Sequence, residues 1–318
     1  MIFGDRDSEK QEYMDKKFYI KSAYDGLRLS LLEISEGDSP KGTILFIHGL
    51  CGCKERHIPA MRHFCEKGFR CFGMDLRGHG DSIYKEEDRG YTYQVGSKGM
   101  TEDIRTVISF IKKEFPASPL FIVAHSMGTL ATRALLKNED KDIDGIILCG
   151  SVSDSIMSTV ALWLTSALAA IDKGRRRYPA LQELTTAAYN RRFRKEGRQA
   201  WTCSDPEVRK AFTDDPKCNF TPTVDCTLTL LKMMKETYSK KGWNVHNPAL
   251  PILFISGGDD PCLINLKRFH HSAGFMNTVG YNNVSSIIYL GMRHEVLNEI
   301  GKEDIWQEIE DFVAQRGS

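Results

Sequence analysis

Six short apolar runs, separated by helix-like stretches, restrict this chain of 318 residues to few architectures. They are TILFIH (43–48), RCFGMDL (70–76), PLFIVAH (119–125), DGIILCG (144–150), PILFIS (251–256) and VSSIIYL (284–290). A continuous apolar run of this length, closed by a turn signal, suits a strand covered on both faces. Helical patterns at 55–67, 98–115, 128–137, 263–273 and 302–313 lie between most of them. Strands alternating with helices predict a mostly parallel sheet flanked by helices, an α/β fold. Ahead of this series, two β-rich runs from Lys17 to about Ser35 are split by Asp25-Gly26 and read as a strand feeding a hairpin or a loop.

The rhythm stops between residues 151 and 247. That stretch has no strand-like run and reads as helices over 155–171, 179–195, 206–211 and 222–240. Thr221-Pro222 is expected to start the last of these, as N-cap and first helical residue. A helical block of this size between two strands predicts an inserted cap, with the core formed by 1–150 and 248–318. Two features of the block bear on ligands. Residues 160–171, VALWLTSALAAI, are apolar but too short to span a bilayer. They read as a buried cap helix, or as the wall of an acyl-chain pocket or a contact with a lipid surface. Trp163 and Leu164, with Leu228, Leu231 and Met234, are expected to wall such a pocket. Basic residues crowd 173–198, including Arg175, Arg176, Arg177, Arg191 and Arg192. They read as a solvated face, or as an attractor of a phosphate or carboxylate.

Net charge excludes several partners. A balance of +1 gives no field to hold nucleic acid or an anionic membrane. The opening MIFGDRDSEKQEYMDKK has no apolar h-region, and no run of 18 apolar residues occurs anywhere. Nine cysteines, an odd number and mostly within apolar patterns, fit reduced buried thiols in the cytoplasm.

The chemistry concentrates at the ends of the runs. FIVAHSMGTL (121–130) is an apolar strand, then Ala-His-Ser-Met-Gly, then a helix former. This small-x-Ser-x-small elbow lifts a hydroxyl out of a sheet on a tight turn, which makes Ser126 the candidate nucleophile. A serine needs a base and a group that orients the base. Downstream, SGGDDP closes one strand run and GMRHEVLNE another, so one of two aspartates and His294 stand in the expected order Ser, Asp, His. Of the other histidines, His48 reads as a support of the loop after the first run. His125 beside Ser126 points away from the hydroxyl and reads as packing or as pocket lining. Oxyanion donors are expected from the backbone N–H of Met127, next after the nucleophile, and of Leu50 in His-Gly-Leu-Cys-Gly. Cys51 in that loop is a candidate substrate contact. Cys51-Gly-Cys53 has the look of a metal hook, but no second Cys/His pair has suitable spacing, so no metal is expected.

HGLCG, MDLRGHGDS, AHSMG, SGGDDP and MRHEVLNE, in this order, resemble the serine hydrolases grouped as monoglyceride lipases and lysophospholipases, over about 18–313. The likeness is to bacterial members, where a stretch such as DDPKCNFTPT closes the cap. It implies the α/β-hydrolase fold and a carboxylic-ester hydrolase acting on small acyl esters without a cofactor. In that family the acid stands three residues after the first glycine of the strand-end pair, which marks Asp260 rather than Asp259. The insert departs from the better-known lipases in length and charge, so the substrate is left open. Rival expectations are a peptidase of proline iminopeptidase type, a thioesterase, and a ligand-binding relative without catalysis. An aspartate would be needed in place of Ser126 for a dehalogenase or an epoxide hydrolase.

Overall fold

The computed structural model describes residues 14–37, 39–154 and 156–315. The first thirteen residues of the polar N-terminal stretch, and Ser155 at the head of the first expected insert helix, lie outside them. Of the two readings of the first β-rich runs, hairpin or loop, the structure shows the hairpin: β1 (Met14–Lys21) and β2 (Arg28–Ser35) pair antiparallel through eight residue pairs. Then follow β3 (Thr43–Ile47), α1 (Ile58–Glu66), β4 (Arg70–Met74), α2 (Gly96–Glu114), β5 (Leu120–His125), α3 (Met127–Leu135) and β6 (Gly145–Cys149). The insert carries α4 (Ile156–Ala169), α5 (Pro179–Asn190), α6 (Pro206–Asp214) and α7 (Val224–Thr237). The chain returns to the sheet with β7 (Ile252–Gly257), α8 (Leu266–Thr278), β8 (Val284–Tyr289) and α9 (Lys302–Ala314).

One eight-stranded sheet results, in the order β1-β2-β4-β3-β5-β6-β7-β8, parallel from β4 to β8. β3, β6 and β7 are buried at every residue, as their uninterrupted apolar sequences require. One face packs through Leu45, Ile122 and Ile146 on Met100 and Ile104 of α2 and Leu130 of α3. The other packs through Phe46, Val123 and Ile147 on Phe64 of α1 and Ile305 and Ile309 of α9. Each fully buried side chain of this size contributes roughly 1.5–3 kcal/mol, so the central strands dominate the stability of the sheet.

Four expectations need correction. The helix expected at 55–67 is broken into a 3₁₀ turn over Lys54–His57 and α1, because Pro59 at the head of α1 has no N–H to continue a ladder. The cap of α7 is Thr223, whose hydroxyl accepts from Cys226 N, and not Thr221. Thr223 is held in extended backbone by an antiparallel bridge to Arg177 and by hydrogen bonds from its N–H and Oγ1 to the Gly90 carbonyl, so the helix starts two residues later. Trp163 and Leu164 are 76% and 64% exposed on α4 and so face solvent, not a closed pocket. The face of α4 that is covered carries Ser158 and Thr165 and packs on α7. Finally, α7 packs against α2 and α3, so Met234 joins the main core instead of the roof over Ser126.

Candidate active site

Ser126 sits between β5 and α3 with φ +51° and ψ −116°, a left-handed conformation that costs a non-glycine residue of order 1–3 kcal/mol. Two glycines make this turn feasible. A Cβ at Gly128 would stand 2.7 Å from the Ile47 carbonyl oxygen, and one at Gly49 would stand 2.8 Å from Ser126 Cβ. The loop after β3 therefore lies directly against the elbow.

His294 enters from the loop after β8 and is only 4% exposed. Its Nε2 is 2.9 Å from Ser126 Oγ, and its Nδ1 is 2.9 Å from Asp260 Oδ2. Asp260 follows β7. Its Oδ1 accepts from Cys262 N at 2.8 Å, and its Oδ2 also accepts from Ser256 Oγ at 3.2 Å. Asp259, one residue earlier, points the other way into an ion pair with Arg192 at 2.6 Å. Burial alone would push the Asp260 carboxyl up, but the facing imidazole and these hydrogen bonds hold it below its ordinary range. Burial likewise opposes a charged His294, yet the Asp260 carboxylate raises its pKa well above the usual value. A carboxylate that accepts from Nδ1 leaves Nε2 as the lone-pair nitrogen facing the hydroxyl.

His48 prepares the opposite side. Its Nε2 accepts from Leu76 N at 3.0 Å, so Nδ1 carries the proton and donates to the Gly49 carbonyl at 2.7 Å. Burial lowers its pKa to about 4, which keeps that tautomer neutral. The Gly49 carbonyl and the Leu50 N–H belong to one planar trans peptide and point in opposite directions. By fixing the carbonyl, His48 thus fixes where the Leu50 N–H points. Met127 N–H, in the first turn of α3, has no partner within its own helix by the geometry of helix starts.

Other candidates fall elsewhere. His125 packs its ring 4.8 Å from the His294 ring, and its Nε2 is 3.2 Å from the His294 carbonyl oxygen, so it supports the loop that carries His294. Cys51 is buried and donates its thiol to the Phe220 carbonyl at 3.1 Å, a contact with the insert. Much of the basic stretch is paired: Arg175 with Asp88 at 2.9 Å, Arg176 with Asp172 at 3.2 Å, and Arg198 with Glu183. Arg177 donates to the Thr221, Glu87 and Arg89 carbonyls. Arg175 and Arg177 fasten the insert to residues 87–89, and Arg176 and Arg198 pair within the insert, so these four arginines do not form an open anion trap.

Sequence reading missed the aromatic cover. Trp201 of the insert lies 5.2 Å from the His294 ring, and Tyr189 of α5 lies 5.0 Å from Trp201. Neither stands in a motif; only the fold brings them over the sheet edge. Both neighbours of His294 also grip the insert. Arg293 donates to the Ala200 and Cys203 carbonyls at 2.6 and 3.3 Å and pairs with Glu196, while Glu295 N donates to the Thr202 carbonyl at 2.7 Å. A cleft of about 160 Å³ opens beside Asp260, lined by Tyr189, Arg192, Phe193 and Leu263 among others.

A sheet of this order with a serine elbow between β5 and α3, a histidine after β8 and an acid after β7 defines the α/β-hydrolase class. Residues 38–301 match the family described as serine aminopeptidase, S33, and the chain belongs to that family. It is similar to the monoacylglycerol lipase of Mycolicibacterium smegmatis, 21% identical over 277 residues, which is 86% of this chain and 89% of that protein. Among solved structures, a carboxyl esterase from Bacillus coagulans superposes with a TM-score of 0.85 at 22% identity, covering 96% of this chain and 99% of that one. A monoglyceride lipase from Saccharomyces cerevisiae does so with a TM-score of 0.74 at 16% identity, covering 97% of each. Among the described residues, no helix is long and apolar enough to cross a membrane.

Proposed function

We propose that this chain is a serine carboxylic-ester hydrolase that works through an acyl-enzyme on monoacylglycerols, lysophospholipids or similar acyl esters. The observation that carries the reading is the continuous line Ser126 Oγ, His294 Nε2, His294 Nδ1, Asp260 Oδ2, with 2.9 Å at both junctions. Ser126 Oγ attacks the ester carbonyl while His294 Nε2 takes its proton, and Asp260 stabilises the imidazolium that forms. The N–H groups of Leu50 and Met127 bind the oxygen anion. His294 then gives the proton to the departing alkoxide, and the acyl group stays on Ser126. A water attacks that acyl group, His294 takes its proton, and the carboxylic acid leaves as Ser126 Oγ recovers the proton. Side chains supply every proton movement.

The insert, 151–247, acts as the cap that selects the acyl group, and the similarity to a monoacylglycerol lipase over most of both chains supports an acyl ester as substrate. Val160, Trp163, Leu164, Ile171 and Leu184 are exposed on or beside α4 and α5, and they suit shallow contact with a lipid surface. All nine cysteines are buried and unpaired, which suits a reducing compartment such as the cytosol.

The test is a panel of monoacylglycerols, lysophospholipids, acyl thioesters and aminoacyl amides, run beside fluorophosphonate labelling of Ser126. Turnover of the oxygen esters well above the thioesters and amides is expected. Preference for aminoacyl amides overturns the ester reading in favour of the peptidase that the family description names, and labelling without turnover of any member favours a binding protein.

A further inference from the structure

The thiols of the loop after β3 acquire a partner that sequence spacing hides. Cys53 and Cys218 lie 165 residues apart, yet their sulfurs are 3.6 Å from each other. Asp215 Oδ2 stands 3.8 Å from Cys53 Sγ. These three ligand atoms all lie within 4.8 Å of one another. We infer that Cys53, Cys218 and Asp215 form a structural zinc site that fastens the insert to the loop carrying Leu50.

Three features support a metal over a disulfide or an idle thiol pair. The first is distance. Tetrahedral zinc with Zn–S of about 2.3 Å and Zn–O of about 2.0–2.2 Å places two sulfurs roughly 3.8 Å apart and a sulfur and an oxygen roughly 3.5 Å apart. The observed 3.6 and 3.8 Å match that spacing within a few tenths of an ångström. A disulfide needs about 2.05 Å, so its sulfurs would have to close by a further 1.5 Å or so.

The second is support around the ligands. Residues 215–218 read Asp-Pro-Lys-Cys, and Cys218 N donates to the Asp215 carbonyl at 2.9 Å, a turn that brings both side chains to one side. Asp215 Oδ1 accepts from Lys217 N at 2.8 Å, which orients the carboxylate and leaves Oδ2 facing the sulfurs. The third is charge. Two thiolates and a carboxylate carry −3, and zinc leaves −1 in a buried place. Arg56, which is ion-paired with Glu295, also lies beside both cysteines and stacks 4.8 Å from the Phe212 ring, which packs with Cys53 and Cys218. Cys53 and Cys218 are buried while Asp215 is partly open, so an ion and a water as fourth ligand have a route in.

The binding step is balanced. Zinc(II) displaces the two thiol protons to solvent, two Zn–S bonds and one Zn–O bond form, and nothing is oxidised or reduced. The site contributes no atom to the proposed chemistry at Ser126. Its role is to hold residues 214–220 of the insert against 51–57.

The full chain, purified without an affinity tag under reducing conditions and stripped with chelator, is titrated with zinc and with cobalt(II). One metal per chain is expected, with the near-ultraviolet thiolate-to-cobalt absorption and strong visible bands of a tetrahedral site. Cys53→Ser and Cys218→Ser should lose the thiolate absorption and the stoichiometric zinc. Asp215→Asn, a milder change at a partly exposed residue, should keep the fold and weaken zinc binding roughly 100-fold or more. Cys226→Ser should bind as the unaltered chain does. Zinc should also raise Tm and slow amide exchange in 214–220 for the unaltered chain and not for Cys218→Ser. The inference fails if the reduced chain takes up no stoichiometric zinc, if the absorption survives in Cys218→Ser, or if Asp215→Asn binds unchanged. None of these readouts depends on esterase activity, so they stand apart from the test of the proposed function.

Discussion

The C-terminal edge of the sheet and the helical insert above it are held by different forces. At the edge, Ser126 and Asp260 project from β5 and β7, which are paired on both sides and buried along nearly all of their length, while His294 follows β8, the outermost strand, paired only with β7. Over it, the insert is held by the packing of α7 on α2 and α3 and, elsewhere, by polar ties: Arg175 to Asp88, Arg177 to the Glu87 and Arg89 carbonyls, Arg192 to Asp259, and Arg293 to the 196–203 segment. One of its helices shows much of its apolar face to solvent. Under the proposed function, the sheet edge carries the chemistry and the insert decides what reaches it. Substitutions should divide along that line.

The steepest loss belongs to the edge. Ser126→Ala should lower kcat by a factor on the order of 10⁴ or more with an unchanged circular dichroism spectrum. Fluorophosphonate labelling of the variant at the normal rate would remove Ser126 from the mechanism. Next comes the pair of aspartates. Asp260→Asn should cost roughly 10³–10⁴ in kcat, while Asp259→Asn, which only loses its ion pair with Arg192, should cost about tenfold or less. The pH profile adds an independent readout. Activity requires neutral His294 and is lost as pH falls through its pKa. Asp260 raises that pKa above the ordinary imidazole value, so the acid limb of kcat/KM in Asp260→Asn should move to lower pH. An unmoved limb would mean that some other group titrates there.

At the junction, Arg293→Ala leaves the Ala200 and Cys203 carbonyls without their donor and frees the chain next to His294. A displacement near 1 Å at a reacting group can cost about 100-fold, so kcat/KM should drop roughly 10- to 100-fold while labelling persists more slowly. A change below about twofold would show that the insert and the histidine are uncoupled. The smallest effect belongs to the outer insert. Trp163→Ser with Leu164→Ser should leave turnover of short soluble esters within about twofold and reduce turnover of monoacylglycerol presented in vesicles by several-fold. A flattened chain-length profile on soluble esters would return these residues to an acyl pocket.

The same division explains what sequence alone could tell. Runs such as TILFI and ILFIS announce buried strands because both faces are covered, and the strand ends then place Ser126, Asp260 and His294 in order. The choice of Asp260 over Asp259 came from resemblance, since two adjacent carboxylates differ only in direction. In the insert, composition misled. VALWLTSALAAI has the apolarity of a buried helix, yet burial depends on what packs against it, and α7 covers only one side. Thr221-Pro222 carries a helix-start signal that tertiary bonds to Arg177 and Gly90 override. Cys53 finds Asp215 and Cys218 only through long-range folding, which spacing rules for metal ligands do not cover.

The grip on both neighbours of His294 has a mechanical corollary. Arg293 and Glu295 tie the histidine loop to residues 196–203, so the insert and the base behave as an interlock. Any swing that lifts this segment carries the imidazole away from the serine and leaves the nucleophile idle while the door stands open.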